Sequence, residues 1–250
     1  MKAPARSTAT ASAWRLAAPC ALAVATIGLH APAQAQFAGT LGIDSVNRYR
    51  GSGTDDIGPV VRASAMGDAS AGAYGGISGL WRTRDAGLAS ADAIAGWSGR
   101  LAALPGLDGL APDWGWDLAV HRTHYGGGER YDFSEAMAAL LAPGGALRTW
   151  FAPHYFGGST RTLYTELNAS HAFDDHWRAF GHVGWLHYGP APAYQARTAD
   201  RVDTSLGIGL ALSDWDFRLV RDGIVGGPAP DDVASARRRP AWILGASVAF

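Results

Sequence analysis

The chain has 250 residues, 21 of them basic and 22 acidic, with one cysteine. A near-neutral balance excludes the basic footprint of a nucleic-acid binder, and a single cysteine excludes a disulfide framework. Glycine (33 residues) and tryptophan (10 residues) are abundant, which favours many strands and turns with an interface to lipid.

Residues 1–35 read as a secretory signal peptide. Lys2, Arg6 and Arg15 give a positive start, an apolar run extends from Leu16 to Leu29, and Ala33 and Ala35 form an A-x-A cleavage site. The run is short for a membrane-spanning helix, which needs about 20 residues, so an uncleaved anchor is the rival reading. Cys20 lies inside the run, and Pro19 before it argues against a lipoprotein signal. The exported chain then starts near Gln36 and forms one domain, 36–250. Without Lys2, Arg6 and Arg15 it holds 18 arginines against 22 acids, a mildly acidic balance.

From there the dominant pattern has period two, the mark of strands with one apolar and one polar face. Leu41 and Ile43 oppose Asp44, Arg48 and Arg50 in the first strand. Ala91, Ala93, Ala95 and Trp97 oppose Ser90, Asp92, Ser98 and Arg100, while Trp116, Leu118 and Val120 oppose Asp117, His121 and Thr123. Further on, Leu206, Ile208, Leu210 and Leu212 oppose Asp203, Ser205, Gly207 and Gly209. About twelve such segments are predicted. They lie near 38–50, 58–66, 72–82, 88–103, 114–125, 131–141, 146–156, 161–173, 176–188, 201–212, 215–225 and 240–250. The segment 131–141 has the Ala and Leu content of a helix, and context alone makes it a strand. Segments 72–82 and 146–156 carry glycine-rich or aromatic interruptions.

Connections after the even segments are mostly short, as in Ser213-Asp214; Leu104–Asp113 is the exception. Those after the odd segments are often long and rich in Pro and Gly. Long loops gathered at one end are a feature of outer-membrane barrels. Trp114, Trp177 and Trp215 begin strands at the short-turn end, whereas Trp81 and Trp242 lie at the other. Two belts of tryptophan fit two membrane interfaces, and the alternative is a set of end plugs in a soluble barrel. The last segment keeps strand register up to Phe250. A barrel that closes by pairing its last strand with its first would otherwise leave unpaired backbone in lipid.

The stretches "GIDSVNRYRGSG", "FAPHYFGGSTRTLYTELNASHAF" and "WRAFGHVGWLHYG" resemble the TorF-type porin family of proteobacteria. In that family an early strand ends in an Arg-Gly pair, matched by Arg50-Gly51. A later Tyr-Phe-Gly turn is matched by Tyr155-Phe156-Gly157, and the following Tyr-Thr-Glu strand by Tyr164-Thr165-Glu166. The order of the motifs carries the resemblance, and residues 223–239 depart from it. It implies a small outer-membrane barrel and a channel. A terminal aromatic such as Phe250 is, by the same resemblance, the signal read by the barrel-insertion machinery.

The fold expected is therefore all-β, an antiparallel up-and-down transmembrane β-barrel. Twelve strands about 4.8 Å apart at a tilt of about 40° give a backbone radius of roughly 12 Å. The side chains expected to line the interior are Asp44, Arg48, Arg50, Arg62, Asp92, Arg100, Asp117, Glu135, Glu166, Arg178, Asp203, Asp216 and Arg218. Either they border a wet channel, or they pair across the lumen and fill it; the near balance of signs predicts weak ion selectivity in both cases.

An enzyme needs a nucleophile, a base and an orienting group. His121, His124, His154, His171, His176, His182 and His187 are available, and Ser170 and His182 fall on neighbouring strands, but G-x-S-x-G is absent. No metal site stands out, since three-residue spacing puts His121 and His124 on opposite faces of a strand and Asp174-Asp175-His176 reads as a turn. Gly126–Gly128 lacks the lysine of a phosphate loop. Arg237, Arg238 and Arg239 would meet lipopolysaccharide phosphates if they lie in an external loop. The first reading is a porin-like barrel passing small polar solutes or ions, with no catalytic residue and no cofactor. Its partners are outer-membrane lipid and lipopolysaccharide. The alternatives are a lipid-modifying barrel enzyme and a closed barrel acting through its loops.

Overall fold

The structure, a computed structural model, describes residues 36–50, 52–53, 58–106, 111–127, 131–190, 200–226 and 240–250. The expected signal peptide, Gly51 of the Arg-Gly pair, Gly128 and Arg237–Arg239 lie outside the described residues. In chain order, β1 (Gln36–Asp44) precedes a small ribbon of β2 (Arg48–Tyr49) and β3 (Ser52–Gly53). Then come β4 (Val60–Asp68), β5 (Ala73–Arg82), β6 (Leu88–Arg100), β7 (Gly115–Tyr125), β8 (Phe133–Ala142) and β9 (Gly145–Ala152). The chain finishes with β10 (Thr162–Ala172), β11 (Trp177–Tyr188), β12 (Arg201–Leu212), β13 (Trp215–Gly226) and β14 (Ala241–Ala249).

All but β2 and β3 form one closed barrel in the order β1-β14-β13-β12-β11-β10-β9-β8-β7-β6-β5-β4, antiparallel throughout. This is the twelve-stranded all-β barrel expected from the period-two pattern. The segment with helical composition is strand β8, paired with β7 and β9 over most of its length. Ala and Leu have helix propensity, but tertiary pairing overrides it. Three expected strands are shorter than read: the one expected over 88–103 stops at Arg100, where Leu101–Ala103 form a 3-10 turn. The first strand stops at Asp44, and its continuation turns away as the β2–β3 ribbon. The one expected over 146–156 stops at Ala152, and Tyr155–Gly157 form a 3-10 turn.

Closure runs through the register Thr40↔Ala249 to Asp44↔Gly245. It extends to Phe250, whose backbone N–H donates to Gly39 O at 3.0 Å and whose carbonyl accepts from Gly39 N–H at 2.9 Å. The Phe250 ring lies over Gly39, where an added Cβ would come within 2.7 Å of Cζ. An aromatic covering a cross-strand glycine helps to pin register.

The two faces of the wall differ sharply. Along β12, Asp203 is 3% exposed and Leu206 is 69% exposed. Leu41, Ile43, Leu118, Val120, Leu167, Val183, Ile208 and Leu244 join Leu206 on the outside, while Asp44, Asp117, Glu135, Arg148, Asp216 and Asp222 are buried on the inside. An apolar exterior with an enclosed polar interior inverts a soluble protein and is the pattern of a lipid-embedded barrel. Trp114, Trp177 and Trp215 are exposed at the short-turn end, joined by Trp97; Trp81 and Trp242 are exposed at the long-loop end, joined by Trp185.

Connections follow the expected asymmetry where β8 meets β9 through Pro143-Gly144 and β12 meets β13 through Ser213-Asp214. Gly144 has φ +76°, as the tight turns favoured by twisted strands require. Asp174 makes the 173–176 turn an Asx turn, its Oδ1 accepting from the backbone N–H groups of His176 and Trp177, each at 2.7 Å.

Candidate functional site: the barrel interior

The interior charges are paired, and most of the pairs run along the wall. Arg178 on β11 donates two hydrogen bonds to Asp216 on β13, one of them at 2.9 Å. Between them, on β12, the inward position beside Arg178 is Gly209. A Cβ there would come within 2.7 Å of Arg178 Cζ. Arg218 on β13 likewise reaches Asp44 on β1 at 2.5 Å, with Gly245 of β14 in register between them. A Cβ on Gly245 would come within 2.5 Å of Arg218 Nε.

Two tyrosines repeat the device. The Tyr74 hydroxyl on β5 passes over Gly96 of β6 and donates to Asp117 on β7 at 2.8 Å. The Tyr164 hydroxyl on β10 passes over Gly184 of β11 and donates to Asp203 on β12 at 3.1 Å. In each case a long side chain lies flat over a glycine and bonds a carboxylate two strands away. The glycine is required because any Cβ would lift the arm off the wall.

The other expected residues fall into place around these bridges. Arg62 on β4 reaches Asp44 at 3.4 Å, and Glu166 on β10 receives Arg148 of β9 at 3.5 Å. Asp92 on β6 accepts from the hydroxyls of Thr123 at 2.7 Å and Ser78 at 3.3 Å, with His121 Nε2 at 3.5 Å. Arg100 sits exposed at the end of β6, at the margin of the interior.

Arg48 and Arg50 correct the sequence reading. They were expected on the polar face of the first strand, but that strand has ended, and both belong to the ribbon inside the barrel. Arg48 Nε lies 3.5 Å from Asp222 on β13. Arg50 donates two hydrogen bonds of 2.7 Å to Glu135 on β8, the carboxylate being 1% exposed. In the strand order β8 stands across the barrel from β1. The Arg50 guanidinium lies 4.5 Å from the centre of the Tyr164 ring and 4.9 Å from that of Tyr49, with Trp150 and Tyr155 just beyond. Tyr155 and Phe156 turn inward from the β9–β10 connection and pack with Tyr125 and Phe133. The aromatics of 146–156, apart from the outward Phe151, thus form an interior cluster.

Sequence reasoning missed Arg148, Arg201, Asp222, Tyr74, Tyr164 and Trp150. The alternation Ala146, Arg148, Trp150, Ala152 was available but was hidden by the neighbouring aromatics. His182 and Ser170 both sit on β11–β10 inward positions without meeting: Ser170 is opposite Phe180, and His182 is opposite Asn168. His182 Nδ1 lies 2.9 Å from Asn168 Oδ1 and Nε2 lies 2.7 Å from Asp203 Oδ2, so both ring nitrogens are engaged away from the serine. His124 points outward to Asp132 at 2.7 Å while His121 points inward, as the three-residue spacing implies. Hydrogen bonding by His124 holds the loop carboxyl of Asp132 below its ordinary value, and His187 does the same for Asp200. Among the described residues no group of three or more His, Cys, Asp or Glu could hold a metal ion.

No family model matches the chain and no curated protein matches it, so the likeness to TorF-type porins stands on its motifs alone. Solved structures do match. A KdgM porin aligns with a TM-score of 0.53 and 7% identity, covering 85% of this chain and 99% of its own. A NanC porin aligns with a TM-score of 0.56 and 8% identity, covering 86% and 99%. At this identity the likeness is one of fold: a closed antiparallel barrel of the kind that outer-membrane porins adopt.

Proposed function

We propose that the chain is an exported outer-membrane barrel that allows passive passage of small polar solutes or ions, in the manner of a TorF-type porin. The observation that carries this is the Arg–Gly–carboxylate bridging of the wall. Arg178 and Arg218 lie along the wall over Gly209 and Gly245 instead of projecting across the bore, which keeps their side chains out of the route. The interior residues named above, Asp44, Arg62, Asp92, Asp117, Glu166, Arg178, Asp203 and Arg218 among them, then border the route. Because arginines and carboxylates are close to balance in the interior, selectivity between cations and anions is weak. On this reading the partners are lipopolysaccharide, through the charge of Arg237–Arg239, and the barrel-insertion machinery, through the strand ending at Phe250.

The test is single-channel recording from the refolded chain in planar bilayers. Discrete steps with little anion–cation preference are expected; silence from a correctly closed barrel would overturn the proposal. The aromatic cluster and the ribbon inside the barrel favour one other reading, a closed barrel that acts through its loops, and the same silence would support it. A lipid-modifying enzyme is not favoured, because His182 is held by Asn168 and Asp203.

A further inference from the structure

We propose that residues 47–50 are a latched strap that sets the size limit of the passage, with Arg50 as the residue that determines it; this rests on the solute-passage reading above. The strap begins where β1 leaves the wall. Ser45 is still pinned there, its N–H donating to Leu244 O at 2.8 Å and its hydroxyl accepting from Leu244 N–H at 3.0 Å. The chain then crosses the interior and is tied on both sides. On the near side Arg48 pairs with Asp222 of β13, and Arg62 of β4 donates to Asn47 Oδ1 at 3.5 Å. On the far side Arg50 forms its forked pair with Glu135, and the Tyr49 hydroxyl donates to the same carboxylate at 3.4 Å.

Three features mark this span. Among the described residues no other arginine–carboxylate pair joins a connection to the opposite wall; the strand-borne pairs run sideways. Arg50 adopts φ +47°, a left-handed conformation that disfavours any residue with a Cβ. Such strain persists where the surroundings over-determine the residue, and here two charge-assisted hydrogen bonds and the flanking aromatic rings do so. Finally, Glu135 of β8 holds both Arg50 and Tyr49, so removing its charge releases the far-side latch without touching the backbone ladder of the wall.

The experiment uses the full chain refolded in detergent, with Glu135→Gln and Arg50→Gly beside the wild type. Glycine relieves the positive φ, so the second variant tests the latch without adding strain. Closed barrels are confirmed by heat-modifiable migration on a gel. Conductance is then recorded with polyethylene glycols of increasing size as non-electrolyte probes. Both variants are expected to admit larger polymers and to give steps at least about twofold larger. A silent wild type with conducting variants would overturn the passage reading and, with it, the size-limiting role of the strap. If the wild type conducts and both variants keep its step size and its polymer cut-off, the strap proposal falls while the passage reading stands. If all three closed barrels are silent, the passage reading falls and the strap proposal with it.

Discussion

In the wall, Arg178 and Arg218 run sideways over Gly209 and Gly245 to carboxylates two strands away. In the strap, Arg50 runs across the bore to Glu135 on the opposite side. The same chemical pair therefore does two jobs, and what separates them is the backbone that carries the arginine. A strand-borne arginine beside an inward glycine has a flat floor to lie on. Arg50, on a ribbon inside the barrel, has no such floor and reaches to the far wall. The wall pairs tie together strands two apart; the strap pair holds a segment in the way.

That contrast predicts where substitutions should cost stability. The largest effect is expected on the outer face of the wall. Ile208→Arg places a charge in the apolar band, and it should weaken folding into bilayers by about 2–4 kcal/mol, read by urea titration of the membrane-inserted barrel. Next is Asp216→Ala, which leaves Arg178 without its carboxylate. Loss of charge-assisted hydrogen bonds should lower stability by about 1.5–3 kcal/mol; an unchanged unfolding midpoint would show that the bridge does not brace the wall.

Gly209→Ala is a sharper probe, because it keeps both charges and removes only the floor. The Cβ meets the flexible end of Arg178, so the arm should swing into the bore. A loss of about 1–2 kcal/mol should accompany a smaller conductance step, and an unchanged step would mean that the arm does not project. Tyr74→Phe deletes a single hydroxyl bond to Asp117 and should cost about 1 kcal/mol in the same titration.

The smallest effect belongs to Asp200, just before β12 at the long-loop end. The Asp200 carboxyl is held below its ordinary value by His187, then helped by Tyr188 N–H and Trp185 Nε1–H. A depressed folded value contributes stability that is present above about pH 4 and disappears as pH falls through the folded value. Asp200→Asn should therefore flatten a shallow acid-limb dependence measured by pH-jump unfolding, through a small loss of stability at neutral pH that vanishes at low pH.

Much of this was legible in the residues themselves. The faces of β6, β7 and β12 came directly from alternation, because a period of two leaves a side chain only two directions. Twelve strands and the position of the tryptophan belts followed from the same pattern. What could not be read was where a strand stops. The first strand continues its alternation through Arg48 and Arg50, and only the absence of a wall position beside them turns the chain inward. The aromatic run at 150–156 looked like a damaged strand, and it is partly strand and partly an inward turn.

The sequence by itself determined the barrel, its inside and its outside, because hydrophobic alternation and the need to pair every strand edge leave few other solutions. The tertiary structure alone decided which charge meets which. An ion pair two strands away, with a glycine between, depends on the registers of three strands at once, and a pair across the bore depends on closure. Neither quantity is local, so neither is written in any short stretch of the chain.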